Sequence, residues 1–454
     1  MDKASFIGNL PTAASAGHTE GRGEQLMATE FLRRKGAALA AVGMFGLGII
    51  LYCLRPGSGY TEIGTLLGFE VWHFAFLDTH AVLSAVQCIN MGVDAYLTNP
   101  CDHLQRAYTY SPLWMGLTVF SVTEAWLVPV GLAVDCAFLA SLFLLPAPRS
   151  NAAALVLTLT TVSGATAFAL ERGNTDLVLF TLVAMTATLL TRSPRARALG
   201  YAFAFLAGLL KYYPMVVMAV AARETPRRLI TIFVVALGAL ALFIGVVWTD
   251  LLKAFSNIPG GSYSGDMFGS VNVAGLLSVL FEGDSRVRVV AHVSMGIVAV
   301  AVAAVLAFRR STSAALARLT DNEAAFLQVG SLLVLGCFFA AQNIGYRAVH
   351  LIICMPGLLA LAAVAPEFRF RRAPLAAMLL IWTMAWRRGV ETLGHALGGE
   401  TGRIIGNSLG VVLRESLWWF LVTLLLSIVI AIFSQSPIVR RWLYRAGLGS
   451  PLTV

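Results

Sequence analysis

Apolar runs of about 18 residues, roughly the depth of a bilayer's hydrocarbon core, alternate along the chain with short polar clusters rich in arginine. The first run spans Gly36 to Leu54, behind Arg33, Arg34 and Lys35. A long polar-studded segment from Arg55 to Thr109 follows. Its stretch from Glu70 to Met91 has helical apolar spacing but is too polar to cross a membrane, which predicts helices lying at the interface. Further spans are expected at Trp126–Leu145, Ala152–Leu170, Leu177–Leu190, Leu229–Trp248, Val289–Phe308, Ala324–Ala341, Ala348–Val364, Leu375–Trp386 and Leu417–Phe433. Between the clusters Arg192–Arg197 and Arg223–Arg228 lies an apolar segment interrupted by Lys211-Tyr212-Tyr213-Pro214. Proline removes an amide and the lysine needs a polar cavity, so this segment reads as a re-entrant helical hairpin with Lys211 near its tip.

The expected fold is an all-α polytopic membrane protein with about ten full spans plus that hairpin, and with both termini on one side. Three segments are expected: a disordered cytoplasmic tail over 1–35 without a cleavable signal, a main transmembrane module over 36–365, and C-terminal transmembrane helices with a cytoplasmic tail over 366–454.

Composition supports this reading. The 454 residues are 58% hydrophobic and 13% charged, far from the balance of a soluble domain. The net charge of +9 sits in loop clusters at Arg192–Arg197, Arg223–Arg228, Arg309–Arg318 and Arg369–Arg372 and in the tail at Arg440–Arg445, where positive-inside bias accounts for it without nucleic acid. Those loops mark the cytoplasmic side. Arg387, Arg388, Arg403 and Arg414 then fall outside, so either the last spans are misplaced or these arginines meet something anionic. Lysine occurs only at Lys3, Lys35, Lys211 and Lys253, a bias resembling a high-GC bacterial genome, and the expected location is a bacterial inner membrane. Among six scattered cysteines, Cys88 and Cys101 can pair if their loop faces an oxidising compartment.

With this topology the unusual polar positions gather on the outer, periplasmic side: Asp78 and Asp94; Arg106, Tyr108 and Tyr110; the hinge Glu171–Asp176; Lys211; and Gln342–Arg347 with His350. Ionisable groups inside apolar spans mark substrate or ion paths, although capping and snorkelling explain any one of them singly.

These residues also carry a resemblance. Asp78-Thr79-His80, then Gly92-Val93-Asp94-Ala95-Tyr96, then Tyr110-Ser111-Pro112 resemble the first outer loop of family-87 glycosyltransferases. That GT-C-class family includes polyprenol-phosphate-mannose-dependent mannosyltransferases. Arg172-Gly173-Asn174-Thr175-Asp176, Gly208-Leu209-Leu210-Lys211-Tyr212-Tyr213-Pro214 and Asn343-Ile344-Gly345-Tyr346-Arg347 are similar to its later elements, so the resemblance covers about 36–365. Ala95 stands where the family usually has proline, and nothing after Pro366 resembles it.

The resemblance implies a GT-C-like fold and transfer of one sugar, with inversion, from a polyprenyl-phosphate donor to a glycolipid or polysaccharide acceptor. Mannose, arabinofuranose and other sugars all fit. Asp78 takes the place of the family's general base, with a helix cap as the bland alternative and Asp94 as the rival base. Lys211, Arg347 and His350 are candidates for the donor phosphate, against a structural ion pair such as Arg347 with Glu171. Glu171, Arg172, Asn174, Asp176 and Asn343 are candidates for sugar or acceptor hydroxyls, and Tyr108, Tyr110 and Tyr346 for stacking on sugar rings. No Asp-x-Asp pair and no His/carboxylate cluster with ligand spacing is visible, so a metal-independent enzyme without cofactor is expected. A secondary transporter or lipid-linked sugar flippase is the alternative, weakened by the lack of an internal repeat.

Overall fold

The structure, a computed structural model, describes residues 14–55, 58–71, 74–258, 260–263, 265–437 and 439. The chain is almost wholly helical; among the described residues the only ladder is an antiparallel pair, Met267–Phe268 against Asn343–Ile344. Among the described residues eight stretches are long and apolar enough to cross a membrane: Thr29–Leu54, Glu124–Leu144, Asn151–Glu171, Pro226–Ser256, Ser285–Ala307, Asp321–Ala340, Gly345–Val364 and Thr383–Ser434. This supports a multi-pass membrane protein, with differences from the expected ten spans. The Leu177–Leu190 span is a 16-residue helix, Thr175–Leu190. The Leu375–Trp386 span is divided between Phe368–Ile381 and the start of the last helix. The first helix reaches back to Ala14, into the segment expected to be disordered. Residues 1–13 and the arginines of the tail from Arg440 lie outside the described residues.

Helix-end contacts divide the bundle into two ends. At one, Arg149 pairs with Glu323 at 2.5 Å, Thr191 donates to Asn322 at 2.8 Å, Arg197 pairs with Glu224 at 2.6 Å and Arg318 donates to the Val364 carbonyl at 2.9 Å. Thr320 and Glu323 close a capping box there. The opposite ends of the same helices carry the Glu171–Asp176 hinge, Lys211 and Arg347. The Pro194–Lys211 helix and the 3-10 helix Tyr213–Arg223 form the expected hairpin. Its two feet meet through Arg197, Tyr201 and Glu224, and its tip turns at Tyr212, whose φ of 54° breaks the helix before Pro214.

The Leu77–Asn90 helix corrects the picture of interfacial helices. Most of it is buried, wedged between the 3-10 helix Pro112–Phe120 and the Leu127–Ser141 helix. Residues Phe370 to Ala431 share one apolar core with residues from Ala38 onward, and Trp418 stacks on Phe268 at 4.2 Å. The last helix folds back on itself at Gly398-Gly399, where the dihedrals leave the helical region. The two arms then touch so closely that a Cβ on Gly402 would lie 2.0 Å from the Gly394 carbonyl oxygen.

Candidate active site

Asp78 enters the site through its backbone. The hinge carbonyls of Glu171 and Arg172 accept from the amides of Phe76 and Asp78 at 2.8 and 3.0 Å, and Thr79 Oγ1 donates to the Gly173 carbonyl at 2.7 Å. Phe76 is the residue that caps this helix, so Asp78, in the first turn, keeps its carboxylate for other partners. Gly173 makes the docking sterically feasible. It has φ +51°, and a Cβ there would come within 2.5 Å of Thr79 Oγ1. Asn174 then serves two elements with one amide. Its Oδ1 accepts from the Asp176 amide at 2.7 Å, capping the Thr175–Leu190 helix, and its Nδ2 donates to Asp78 Oδ2. Arg172 lies 3.8 Å from Asp78 Oδ1 and 3.3 Å from Glu171, with its guanidinium over the Phe168 ring.

Asp176 is the hub of the adjoining wall. Fully buried, it accepts from Lys211 at 2.6 Å, Arg347 at 3.1 Å and Tyr213 at 2.5 Å, and His350 Nε2 lies 3.5 Å away. Lys211, Arg347 and His350 therefore do converge, on a carboxylate of this chain; the ion-pair partner of Arg347 is Asp176, where the sequence suggested Glu171. The carboxylate does not exhaust the cations. Lys211 uses two of three donors, on Asp176 and Thr175. Arg347 uses Nε on Asp176 and Nη1 on Asn343, leaving further N–H groups of its fork. Asn343 is fixed in turn by donating to the carbonyls of Cys337 and Ala341 at 2.6 and 2.7 Å.

Between these walls lies a cavity of about 760 Å³ lined by Asp78, Arg172, Lys211, Asn343, Tyr346 and Arg347, together with Tyr108, Tyr110 and Arg106. Lys211 Nζ sits 5.4 Å from the Tyr110 ring centre. Burial pushes the Tyr108 and Tyr110 phenols well up, so both remain neutral hydrogen-bonding groups. The loop that carries them is tied down three ways: Cys101 is disulfide-bonded to Cys88, Ser111 donates to the Leu209 carbonyl at 2.7 Å, and Asn257 donates to the Tyr96 carbonyl at 2.7 Å.

Several candidates sit elsewhere. His350 is buried behind the wall and reaches the cavity only through Tyr213, 2.7 Å from its Nε2. Glu171 and Asp176 also stand in this back row, behind the lining residues. Asp94, the rival base, does not line the cavity. It accepts from the Tyr96 amide at 3.0 Å and from Lys253 at 2.7 Å, and that ammonium holds its carboxyl below the usual range. The unexplained arginines find partners within the chain: Arg387 on Asp266 at 2.7 Å, Arg403 on Glu391 and Glu400 at 2.7 and 2.5 Å, Arg414 on Glu415 at 2.8 Å and Arg388 on the Thr65 carbonyl at 3.4 Å. Sequence reasoning missed Tyr213, adjacent to the lysine it singled out, and Asn257, for which the chain offers no local signal. The expected absence of a His/carboxylate cluster is corrected too. His80, His103 and Glu124 come together because the fold joins a helix, a loop and a 3-10 turn, so no spacing along the chain could reveal them.

No family model, no curated protein and no solved structure matches this chain.

Proposed function

We propose that the protein is an inverting glycosyltransferase. It moves one sugar, mannose or a pentose such as arabinofuranose, from a polyprenyl-phosphate donor to a glycolipid or polysaccharide acceptor at the outer face of a bacterial inner membrane. One observation carries the reading: a single cavity is lined both by an oriented carboxylate, Asp78, and by two cations with donors to spare, Lys211 and Arg347. Inversion needs a base for the acceptor and a counter-charge for the leaving phosphate in one cavity. The acceptor oxygen attacks the anomeric carbon as Asp78 takes its proton, while the bond from that carbon to the phosphate oxygen breaks and its electron pair leaves with the lipid phosphate. Lys211 and Arg347 counter the charge developing on the phosphate, and Asp176 holds them in place beforehand so that little reorganisation accompanies the step. Arg172 and Asn174 orient Asp78; Tyr108, Tyr110 and Tyr346 supply faces and hydroxyls for the sugar. The phosphate is countered by the chain's own cations, with no divalent ion bridging it.

Sidedness follows from the two ends of the bundle. The helix-end arginines Arg149, Arg197 and Arg318 lie opposite the cavity, and the disulfide lies beside it. Positive-inside bias and an oxidising compartment both favour a cavity outside and termini in the cytoplasm. The test is consumption of radiolabelled polyprenyl-phosphate-mannose, and of its arabinofuranose counterpart, by the purified protein. Asp78→Asn is expected to lose turnover by at least about a hundredfold while retaining lipid-phosphate binding. Solute uptake into proteoliposomes without consumption of lipid-linked sugar would overturn the assignment in favour of a transporter.

A further inference from the structure

A second constellation lies off the cavity wall, where the Leu77–Asn90 helix, the loop after Cys101 and the 3-10 turn Glu124–Trp126 meet. His80 Nδ1, His103 Nε2 and a Glu124 carboxylate oxygen all lie within 4.8 Å of one another. Glu124 Oε1 stands 2.8 Å from His103 Nε2 and 3.8 Å from His80 Nδ1. Ligand atoms bound to a tetrahedral Zn²⁺ through bonds of about 2.0–2.1 Å stand about 3.3 Å apart; the His103 ring stacks on His80 at 4.7 Å, so closing the site turns His103 out of that stack and draws Glu124 in. Those two are free to adjust: His103 and Glu124 are exposed, while His80 is fixed at 1% exposure.

His80 supplies the independent indication. Its Nδ1 is buried with no hydrogen-bond partner and lies 3.8 Å from Glu124 Oε1, whereas its Nε2 lies 3.4 Å from Asp102 Oδ1 and accepts from the His103 amide at 3.3 Å. A buried imidazole nitrogen without a partner costs about 1–3 kcal/mol unless something occupies it. Cation binding at Nδ1 moves the ring proton to Nε2, where Asp102 stands ready to accept it and the His103 amide gives up its bond. That is the carboxylate–histidine–metal arrangement by which an outer partner fixes a ligand's orientation and raises its basicity. Asp102 is itself held by Arg106 at 2.7 Å and by the Leu104 amide at 3.1 Å. Phe74 packs edge-on against both imidazoles, at 5.1 and 5.3 Å, and gives the site an apolar rim.

We propose that His80, His103 and Glu124 bind one divalent cation of the zinc class, with Asp102 as the outer partner of His80 and a fourth position left to water. Two imidazoles and one carboxylate suit Zn²⁺ and its borderline neighbours; Mg²⁺ and Ca²⁺ prefer all-oxygen sites. The ion adds a second clasp between the helix and the loop, which the Cys88–Cys101 disulfide already joins, and ties both to the Glu124 turn. One of them carries Asp78 in its first turn, and another carries Arg106, which lines the cavity and approaches the Leu77 carbonyl at 3.5 Å. Its role is to clasp the cavity's outer wall, and it takes no part in the sugar chemistry.

The test uses the full-length protein in detergent, stripped with a chelator and titrated with Zn²⁺ against a chromophoric competitor. Cys53→Ser and Cys136→Ser are introduced first to remove the exposed thiols as adventitious ligands. The expected result is one Zn²⁺ per chain, Co²⁺ d–d absorption of a tetrahedral site, a rise in unfolding temperature with Zn²⁺, and no such rise with Mg²⁺. His103→Ala and Glu124→Gln, both at exposed positions, should weaken binding at least tenfold, and Asp102→Asn by about 10–100-fold. Absence of stoichiometric Zn²⁺ binding, or undiminished binding in both His103→Ala and Glu124→Gln, would overturn the proposal.

Discussion

Asp176→Asn separates the electrostatic role of the hub from its shape. The substitution preserves volume but leaves Lys211 and Arg347 facing each other with no carboxylate between them, and Tyr213 without its charged acceptor. Breaking a buried pair costs about 3–5 kcal/mol. The low end, about 3 kcal/mol, applies here, because Lys211 and Arg347 keep 11% and 18% of their side chains exposed to the cavity and water softens the penalty. Cys337 and Cys354 are buried free thiols, so a maleimide dye that fluoresces on reaction reports unfolding as they become accessible. The variant should unfold at a clearly lower temperature in detergent. A short-chain prenyl phosphate should then stabilise it more than it stabilises the parent, because the ligand supplies the missing negative charge. If the variant unfolds with the parent, or if the lipid phosphate stabilises both equally, Asp176 is not the counter-charge that holds the two cations.

Other outcomes follow from the same geometry. Gly173→Ala should lower stability and turnover together, since the new methyl meets Thr79 Oγ1 at a left-handed position; unchanged stability would show that the hinge tolerates a side chain there. Lys211→Met and Arg347→Met should each weaken lipid-phosphate binding by about 1.5–3 kcal/mol in a binding titration, with acceptor binding unchanged. Glu224, at the hairpin's feet, has its carboxyl lowered: burial pushes it up, but hydrogen bonds from Arg197 and Tyr201 more than offset that. Its contribution is therefore full above the ordinary glutamate value of about 4.3 and is lost as pH falls through the lower folded value. The unfolding-temperature gap between parent and Glu224→Gln should stay constant from neutral pH down to about 5 and shrink below about 4; a gap independent of pH would refute this. Cys101→Ser should cost up to about 3 kcal/mol, the chain-entropy value for a loop of this length, measured by thermal unfolding with and without reductant.

Sequence pattern reached the parts of the site that announce themselves locally. Lys211 beside Pro214 marked the hairpin tip because charge and proline are both out of place in an apolar run. The hinge Glu171–Asp176 stood out for the same reason, and so did Asn343–Arg347. What it missed are relations between distant positions. Asp176 and Arg347 are 171 residues apart, so the carboxylate between the cations was invisible. His350, three residues after Arg347, meets the same Asp176, but Tyr213 stands between it and the cavity. The outer arginines looked anomalous because Asp266, the partner of Arg387, lies 121 residues away. At Leu177–Leu190 and Leu375–Trp386 the helices, flanked by other helices, are shorter than a full bilayer-length run.

The Pro226–Ser256 helix has 31 residues, and its apolar surface is left almost entirely uncovered by the rest of the protein. At 1.5 Å per residue it is about 46 Å long, against a hydrocarbon layer of about 30 Å. Such mismatch is absorbed by tilt or bending, and the helix already departs from helical geometry at Val247. Its grip on the protein at the cavity end is polar: Lys253 on Asp94, and Asn257, just past its last turn, on the Tyr96 and Tyr108 carbonyls. Phe255 and Asn257 also line the cavity. Any change in bilayer thickness that alters the tilt of this helix is thus delivered, through a lever anchored at Asp94 and Tyr96, to the wall of the cavity. Membrane thickness becomes a mechanical input to the site.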